Sequence, residues 1–203
     1  MARSSSPPAS EAVSRSQVLV HADESCLGNQ FIGRANPGGA AALVEFWTGD
    51  SWRRRDYWTS DPDTTNNRMA LSSAIGPLGA LARPCRVRFV SDSQYLTRGM
   101  TEWLPGWKAR GWRRKGPPIK NLELWKELDR AARRHEIEWV WVRGHAGHVR
   151  NEYANHLAVR AAGKLDRSGG FAASRFDEWL AGERAEAGRY LDFDEHAAPR
   201  PFG

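Results

Sequence analysis

The stretch Thr64-Thr65-Asn66-Asn67-Arg68-Met69-Ala70-Leu71 decides how this chain is read. Pro62 and Asp63 punctuate the segment before it, and Thr64 or Thr65 can cap a helix by accepting a hydrogen bond from a first-turn N–H. Met69, Leu71, Ile75, Leu78 and Leu81 then recur at roughly helical spacing. Gly76, Pro77 and Gly79 predict that this helix kinks or ends early. Upstream, Val18–Ala22 reads as a buried strand ending at Asp23, and residues 40–48 and 51–59 read as two strands joined at Gly49-Asp50, a hairpin signal. Downstream, Arg86–Val90 is a short strand before Ser91-Asp92-Ser93, and residues 94–103 look helical. Residues 120–134 form an amphipathic helix with Leu124, Leu128 and Ala131 on one stripe and Trp125 beside it. Ile137–Val142 reads as a strand apolar on both faces, which predicts a central, covered position. A helix over 151–162 closes the pattern. Strands alternating with helices after an opening meander imply an α/β fold, a mixed sheet with helices on its faces.

The flanks differ from this middle. Residues 1–16 are Ser/Pro/Ala-rich, the composition of a disordered tail, which leaves 17–163 as the folded domain. The extension 164–203 offers one helix over 174–191 and then a tail. Its mix of acidic and aromatic residues suits either packing on the domain or binding a partner. The chain carries 30 Lys+Arg against 24 Asp+Glu, a net charge of +6 that favours a polyanionic partner. Cys26 and Cys85 lack metal-ligand spacing and do not make a disulfide framework, so a reduced, cytoplasmic setting is the expectation. The N-terminus has no apolar signal core, and no apolar run is long enough to predict a membrane span.

Two carboxylates stand out, Asp23 and Asp92, each expected at the end of a buried strand. Parallel neighbours would bring those ends together, and two carboxylates there can hold Mg²⁺ and leave room for phosphate oxygens. Paired ions of this kind are an apparatus for phosphodiester hydrolysis. Each Asp could equally cap a turn. The loop Gly144-His145-Ala146-Gly147-His148 places His145 where an imidazole could move a proton. The segment 103–120 interleaves Trp103, Trp107 and Trp112 with Lys108, Arg110, Arg113, Arg114, Lys115 and Lys120. Cations for phosphates beside aromatic faces make a nucleic-acid-binding composition. Buried Trp within a solvated charge run is the plainer account. Asn66, Asn67, Ser93 and Gln94 lie next to the expected centre, where amides could read minor-groove edges and 2′-hydroxyls or merely serve turns and caps.

Taken together these residues resemble the type 1 ribonuclease H family. The matching pieces occur in order from Asp23-x-Ser25-x-x-Gly28-Asn29 through Asn36-Pro37-Gly38-Gly39, TTNNRM at 64–69, Ser91-Asp92-Ser93-Gln94-Tyr95 and Trp107-Lys108-x-Arg110-Gly111-Trp112. They continue with Lys120-Asn121-x-x-Leu124-Trp125, Trp141-Val142-x-Gly144-His145-Ala146-Gly147-His148 and Asn151-Glu152-x-Ala154-Asn155. The resemblance implies a five-stranded mixed sheet and Mg²⁺-dependent cutting of the RNA strand of RNA–DNA hybrids by a monomer. It implies metal ligands at Asp23 and Asp92, a mobile histidine at His145, a basic protrusion over 103–120, and substrate contacts from Thr65, Asn66, Asn67 and Gln94.

Two positions depart from the family. Its helix glutamate is Ala70 here, and its final aspartate is Asn155, a neutral residue that keeps an oxygen for a metal. Glu24 stands after Asp23 where the family usually has Gly. Two readings follow: a working nuclease in which Glu24 or Glu152 supplies a missing carboxylate, or a hybrid-binding protein that has lost catalysis. Loss of ligand charge would shift a working site toward high Mg²⁺ or toward Mn²⁺. Against Glu24, adjacent residues of a strand point to opposite faces.

Overall fold

The structure, a computed structural model, describes residues 16–28, 35–144 and 146–199. The expected N-terminal tail up to residue 15 and the histidine His145 lie outside the described residues.

Six strands form one mixed sheet in the order β5-β4-β1-β2-β3-β6. β1 (Gln17–Cys26), β2 (Gly38–Trp47) and β3 (Trp52–Asp61) make an antiparallel meander. β4 (Arg86–Ser91) runs parallel to β1, and β5 (Glu136–Trp141) parallel to β4. The implied five strands become six because β6 (Ala172–Ala173), from the extension, pairs with β3 at Arg55 and Asp56.

Helices cover both faces. α1 (Asn66–Ala80) and α4 (Leu122–Ala132) lie on one, and α5 (Val149–Lys164) lies on the other. Alternation along the strands sorts the core accordingly. Val18, Val20, Ala22, Ala42 and Val44 join Leu71, Leu78, Trp125 and Leu128 in one cluster. Ala41 and Leu43 join Val149, Tyr153 and Leu157 in the second. β2 is therefore buried on both sides, and its small residues let α5 close in: a β-carbon on Gly39 would strike the Ala158 carbonyl.

Two expectations need correction. α1 runs unbroken through Gly76, Pro77 and Gly79. Pro77 falls in its last turn, where one lost hydrogen bond is outweighed by burial of Leu78 and Leu81, and Gly76 makes room for the Tyr57 ring. β5 is an edge strand rather than a central one. Its Ile137 and Trp139 pack inward, whereas Glu136 and Glu138 face solvent and pair with Arg86 and Arg88 on β4.

After β4 the chain continues as α2 (Gln94–Arg98), a π-helical turn over Gly99–Trp103, and α3 (Leu104–Ala109). The extension packs on the α5 face. α6 (Phe176–Ala187) buries Phe176 and Leu180 in the second core. Buried Asp56 on β3 ties the layers together, accepting from Tyr153 Oη (2.6 Å), Ser174 Oγ (2.7 Å) and the Arg175 N–H (3.1 Å). Glu45, fully buried on β2, is paired by Arg54 (3.0 Å) and Arg150 (2.6 Å), and the Arg150 guanidinium lies 5.0 Å over the Phe193 ring. No described helix is long and apolar enough to cross a membrane.

Candidate active site

The site forms where the parallel strands end. The β1–β4 register stops at Ala22 opposite Ser91, while β1 continues to Cys26 with only β2 beside it. Asp23 thus sits inside β1, not at its end, and Asp92 lies just past the end of β4. No β4 residue pairs with β1 beside Glu24, whose carboxylate is buried among its neighbours. The three carboxylates of Asp23, Glu24 and Asp92 each bring an oxygen within 4.8 Å of the others. Alternation is no obstacle to this meeting, because the strand has outrun its neighbour.

This concentration of like charge has electrostatic consequences. Burial, then the charge of Asp92, pushes the Asp23 carboxyl up to about 8. Burial, then Asp23 and Asp92, holds Glu24 well above the usual carboxylate range. A cation among such groups would favour their ionising together near neutral pH. Three hard oxygen donors suit Mg²⁺ or Mn²⁺.

Neighbouring polar groups orient the cluster. Asn151 Nδ2, buried on the first turn of α5, donates to Asp23 Oδ2 (3.0 Å), and the Glu24 N–H donates to Asp23 Oδ1 (2.7 Å). Ser93, expected to meet substrate, caps α2 by accepting from the Leu96 N–H and hydrogen-bonds Glu24. Gly144 lets its loop pass against Asp92, since a β-carbon there would strike Oδ2. Asn36 joins the entry loop to the start of α1: its Oδ1 accepts from the Gly28 N–H (2.7 Å) and its Nδ2 donates to the Thr64 carbonyl (2.8 Å). Asn151 and Asn36 are supports that the sequence marks only as members of the matching pieces. For Asn151 the available signal is its i, i−4 spacing from Asn155 on one helix face.

The remaining expected residues fall into three groups. Thr65 caps α1, and Asn66, Asn67 and Gln94 are exposed at the first turns of α1 and α2. Ala70 is fully buried in the core. Asn155 is half-buried on α5 and lines a neighbouring pocket with Glu152, while the contact to Asp23 is made by Asn151.

The basic segment is part support and part surface. Trp107 is only 7% exposed and packs against Trp103 (5.9 Å) and Trp125 (5.5 Å), so its ring anchors the protrusion instead of offering a stacking face. Trp103 and Trp112 are half-buried, and Trp112 adopts φ +63 beside Gly111. Lys108 is paired with Asp129 (2.7 Å). Arg110, Arg113, Arg114 and Lys115 are exposed.

Comparison with known proteins agrees with this geometry. The RNase H family model matches residues 15–163. The "Ribonuclease H" of Pseudomonas paraeruginosa strain PA7 is 47% identical over 154 residues, covering 75% of this chain and 98% of the relative. The "Ribonuclease HI" of Pseudomonas aeruginosa strain PAO1 is 46% identical with the same coverage. Among solved structures, "LC9-RNase H1, a type 1 RNase H with the type 2 active-site motif" superposes with a TM-score of 0.80 at 46% identity, covering 94% of this chain and 99% of that one. That share is too large to be confined to 15–163. The PFV RNase H domain shares the fold, with a TM-score of 0.64 at 18% identity and coverage of 76% and 99%. A match this long, over a sheet that gathers its carboxylates where its parallel strands end, places the chain in the ribonuclease H family.

Proposed function

We propose that this chain hydrolyses the RNA strand of RNA–DNA hybrids with divalent cations held by Asp23, Glu24 and Asp92. The observation that carries the reading is Glu24, whose carboxylate joins the two aspartates within 4.8 Å. It supplies from β1 a ligand that the family takes from the helix position occupied here by Ala70. A bound cation would supply charge neutralisation and an activated water. The chain's own groups do the rest. Asn151 fixes the face that Asp23 presents, and Ser93 steadies Glu24. Thr65, Asn66, Asn67 and Gln94, at the starts of α1 and α2, would serve as donors and acceptors for minor-groove edges and 2′-hydroxyls. Arg110, Arg113, Arg114 and Lys115 offer exposed charge to the phosphate backbones. Asn155, a neutral amide, contributes an oxygen at most, so the site runs on one charge fewer than a four-carboxylate centre. The requirement then moves toward higher Mg²⁺ or toward Mn²⁺, which is bound more tightly and dehydrates less reluctantly. The free thiols of Cys26 and Cys85 suit action in the cytoplasm, and a site complete within one chain suits a monomer.

The test is cleavage of a hybrid labelled on either strand, in Mg²⁺ and in Mn²⁺, with Asp92→Asn as control. RNA-strand product above that control is expected. Its absence in both metals, with hybrid binding retained, would reduce the protein to a hybrid-binding module.

A further inference from the structure

The extension builds one wall of a pocket beside the candidate centre. The pocket holds about 370 Å³, within the size range of ligand sites. Asn155, His156 and Arg160 on α5 form one side, and Trp179, Arg189 and Tyr190 form the other. The last three lie beyond the family match, which ends at 163.

Its walls are aromatic and carry both signs of charge, Arg160 and Arg189 with Glu152 and Glu183. The Trp179 and Tyr190 rings lie 5.7 Å apart at 37°, and the His156 ring is 6.3 Å from Trp179. Arg189 carries its guanidinium 5.6 Å over the Tyr190 ring, pairs with Glu183, and keeps a largely exposed side chain. Tyr190 holds φ +59, in the left-handed region, which turns the chain back so that its ring meets Trp179. Arg160 lies 4.4 Å over the Trp58 ring, and its buried Nε has no hydrogen-bond partner, a donor that calls for an acceptor.

The pocket also adjoins the acid cluster. Glu152, on its rim, directly follows Asn151 on α5, and Asn151 Nδ2 donates to Asp23 Oδ2 (3.0 Å). A strand whose phosphate lies at Asp23 would reach the pocket within a nucleotide or two. The volume admits one nucleotide, and an unpaired nucleotide enters without the cost of unpairing and unstacking a base.

We propose that this pocket is a subsite for an unpaired ribonucleotide continuing from the hybrid's RNA strand, its base stacked on Trp179 and Tyr190 and its phosphate met by Arg189. This inference rests on the hydrolase reading of the Asp23 centre for its direction, because it assumes the RNA strand crosses that centre. Stacking of this kind is tolerant of sequence.

The experiment measures binding by fluorescence anisotropy in chelator, using hybrids of equal duplex length that are blunt or carry a single-stranded RNA tail at one end or the other. One tailed hybrid should bind at least about fivefold tighter than the blunt one, the lower end of what stacking one base gives. Tyr190→Ala and Arg189→Ala should each remove that gain, while Tyr190→Phe and Arg189→Lys keep it, with melting curves confirming that each variant folds. Equal binding of blunt and tailed hybrids, or a gain that survives both alanine variants, overturns the subsite. Cleavage is scored separately: no product from any hybrid would sink the hydrolase reading and leave the binding gain as an independent result.

Discussion

The raised Asp23 carboxyl predicts how the metal-free protein responds to pH. Asp23 titrates near 3.8 when unfolded and is pushed up to about 8 in the fold. Below pH 4 both states hold the proton, and the group costs nothing. Between about pH 4 and 8 the unfolded chain has released the proton while the folded chain keeps it, so stability falls as pH rises. Above 8 the loss is complete. A gap of about 4 pH units at 1.36 kcal/mol each amounts to on the order of 5 kcal/mol. For a chain of this size that corresponds to a melting shift of roughly 10–20 °C. Asp23→Asn, which cannot ionise, should therefore melt well above the parent at pH 8 in chelator and close to it at pH 5. Saturating Mg²⁺ should stabilise the parent far more at pH 8 than at pH 5, because the cation favours the ionised cluster. Thermal melts across this range, with and without metal, decide the matter. If the variant melts with the parent at pH 8 in chelator, the claim that Asp23 is buried among like charges is wrong.

Other substitutions test the remaining parts. Glu24→Gln removes one of three ligand charges and should cut RNA-strand cleavage by several orders of magnitude, with Ala70→Glu restoring part of it from α1; parent-like rates in Glu24→Gln would exclude Glu24. Asn151→Ala leaves Asp23 Oδ2 without its amide donor and should weaken metal affinity by about 10-fold, as removal of an outer partner commonly does; isothermal titration with Mn²⁺ reads this directly, and an unchanged affinity would deny Asn151 a positioning role. Replacing Arg113, Arg114 and Lys115 together with Ala should weaken hybrid binding and flatten the log K against log salt slope by about one for each phosphate that is no longer neutralised. An unchanged slope would take the protrusion out of the interface.

How much of the molecule is legible in the sequence follows from what each residue can signal alone. The α/β order, the meeting of Asp23 with Asp92 and a cap at one of Thr64 and Thr65 rest on periodicity and local chemistry, and these are present, while Ser93 takes the plainer of its two readings and caps α2. β5 reads as central because Trp139, Val140 and Trp141 mask the exposed Glu136 and Glu138, which mark an edge. Trp107 and Lys108 sit in a segment whose composition suggests a ligand, yet one packs on Trp125 and the other pairs with Asp129. Composition cannot distinguish a side chain that anchors a protrusion from one that it presents. The role of the extension is hidden for a related reason. Its partners, Asp56, Tyr153 and Arg54, lie upstream in the chain and only folding brings them together.

The altered acid cluster is explained by where β1 ends its pairing. Ala22 and Ala70 belong to one core cluster, on the face covered by α1. Alternation puts Glu24 on that same side of β1 and Asp23 on the other, where Asn151 of α5 reaches it. Glu24 therefore enters the cluster from the side on which a glutamate at position 70 would have entered. With a carboxylate hung from the strand, the helix position can be filled by an alanine that closes the core, and Ala70 is fully buried. On the proposed reading, the third carboxylate has moved from helix to strand. On that reading only the exchange at Asn155 would lower the charge of the centre, so the pair Ala70 and Glu24 should be tested as one change, by a double-mutant cycle in which Glu24→Gly and Ala70→Glu compensate each other in metal affinity.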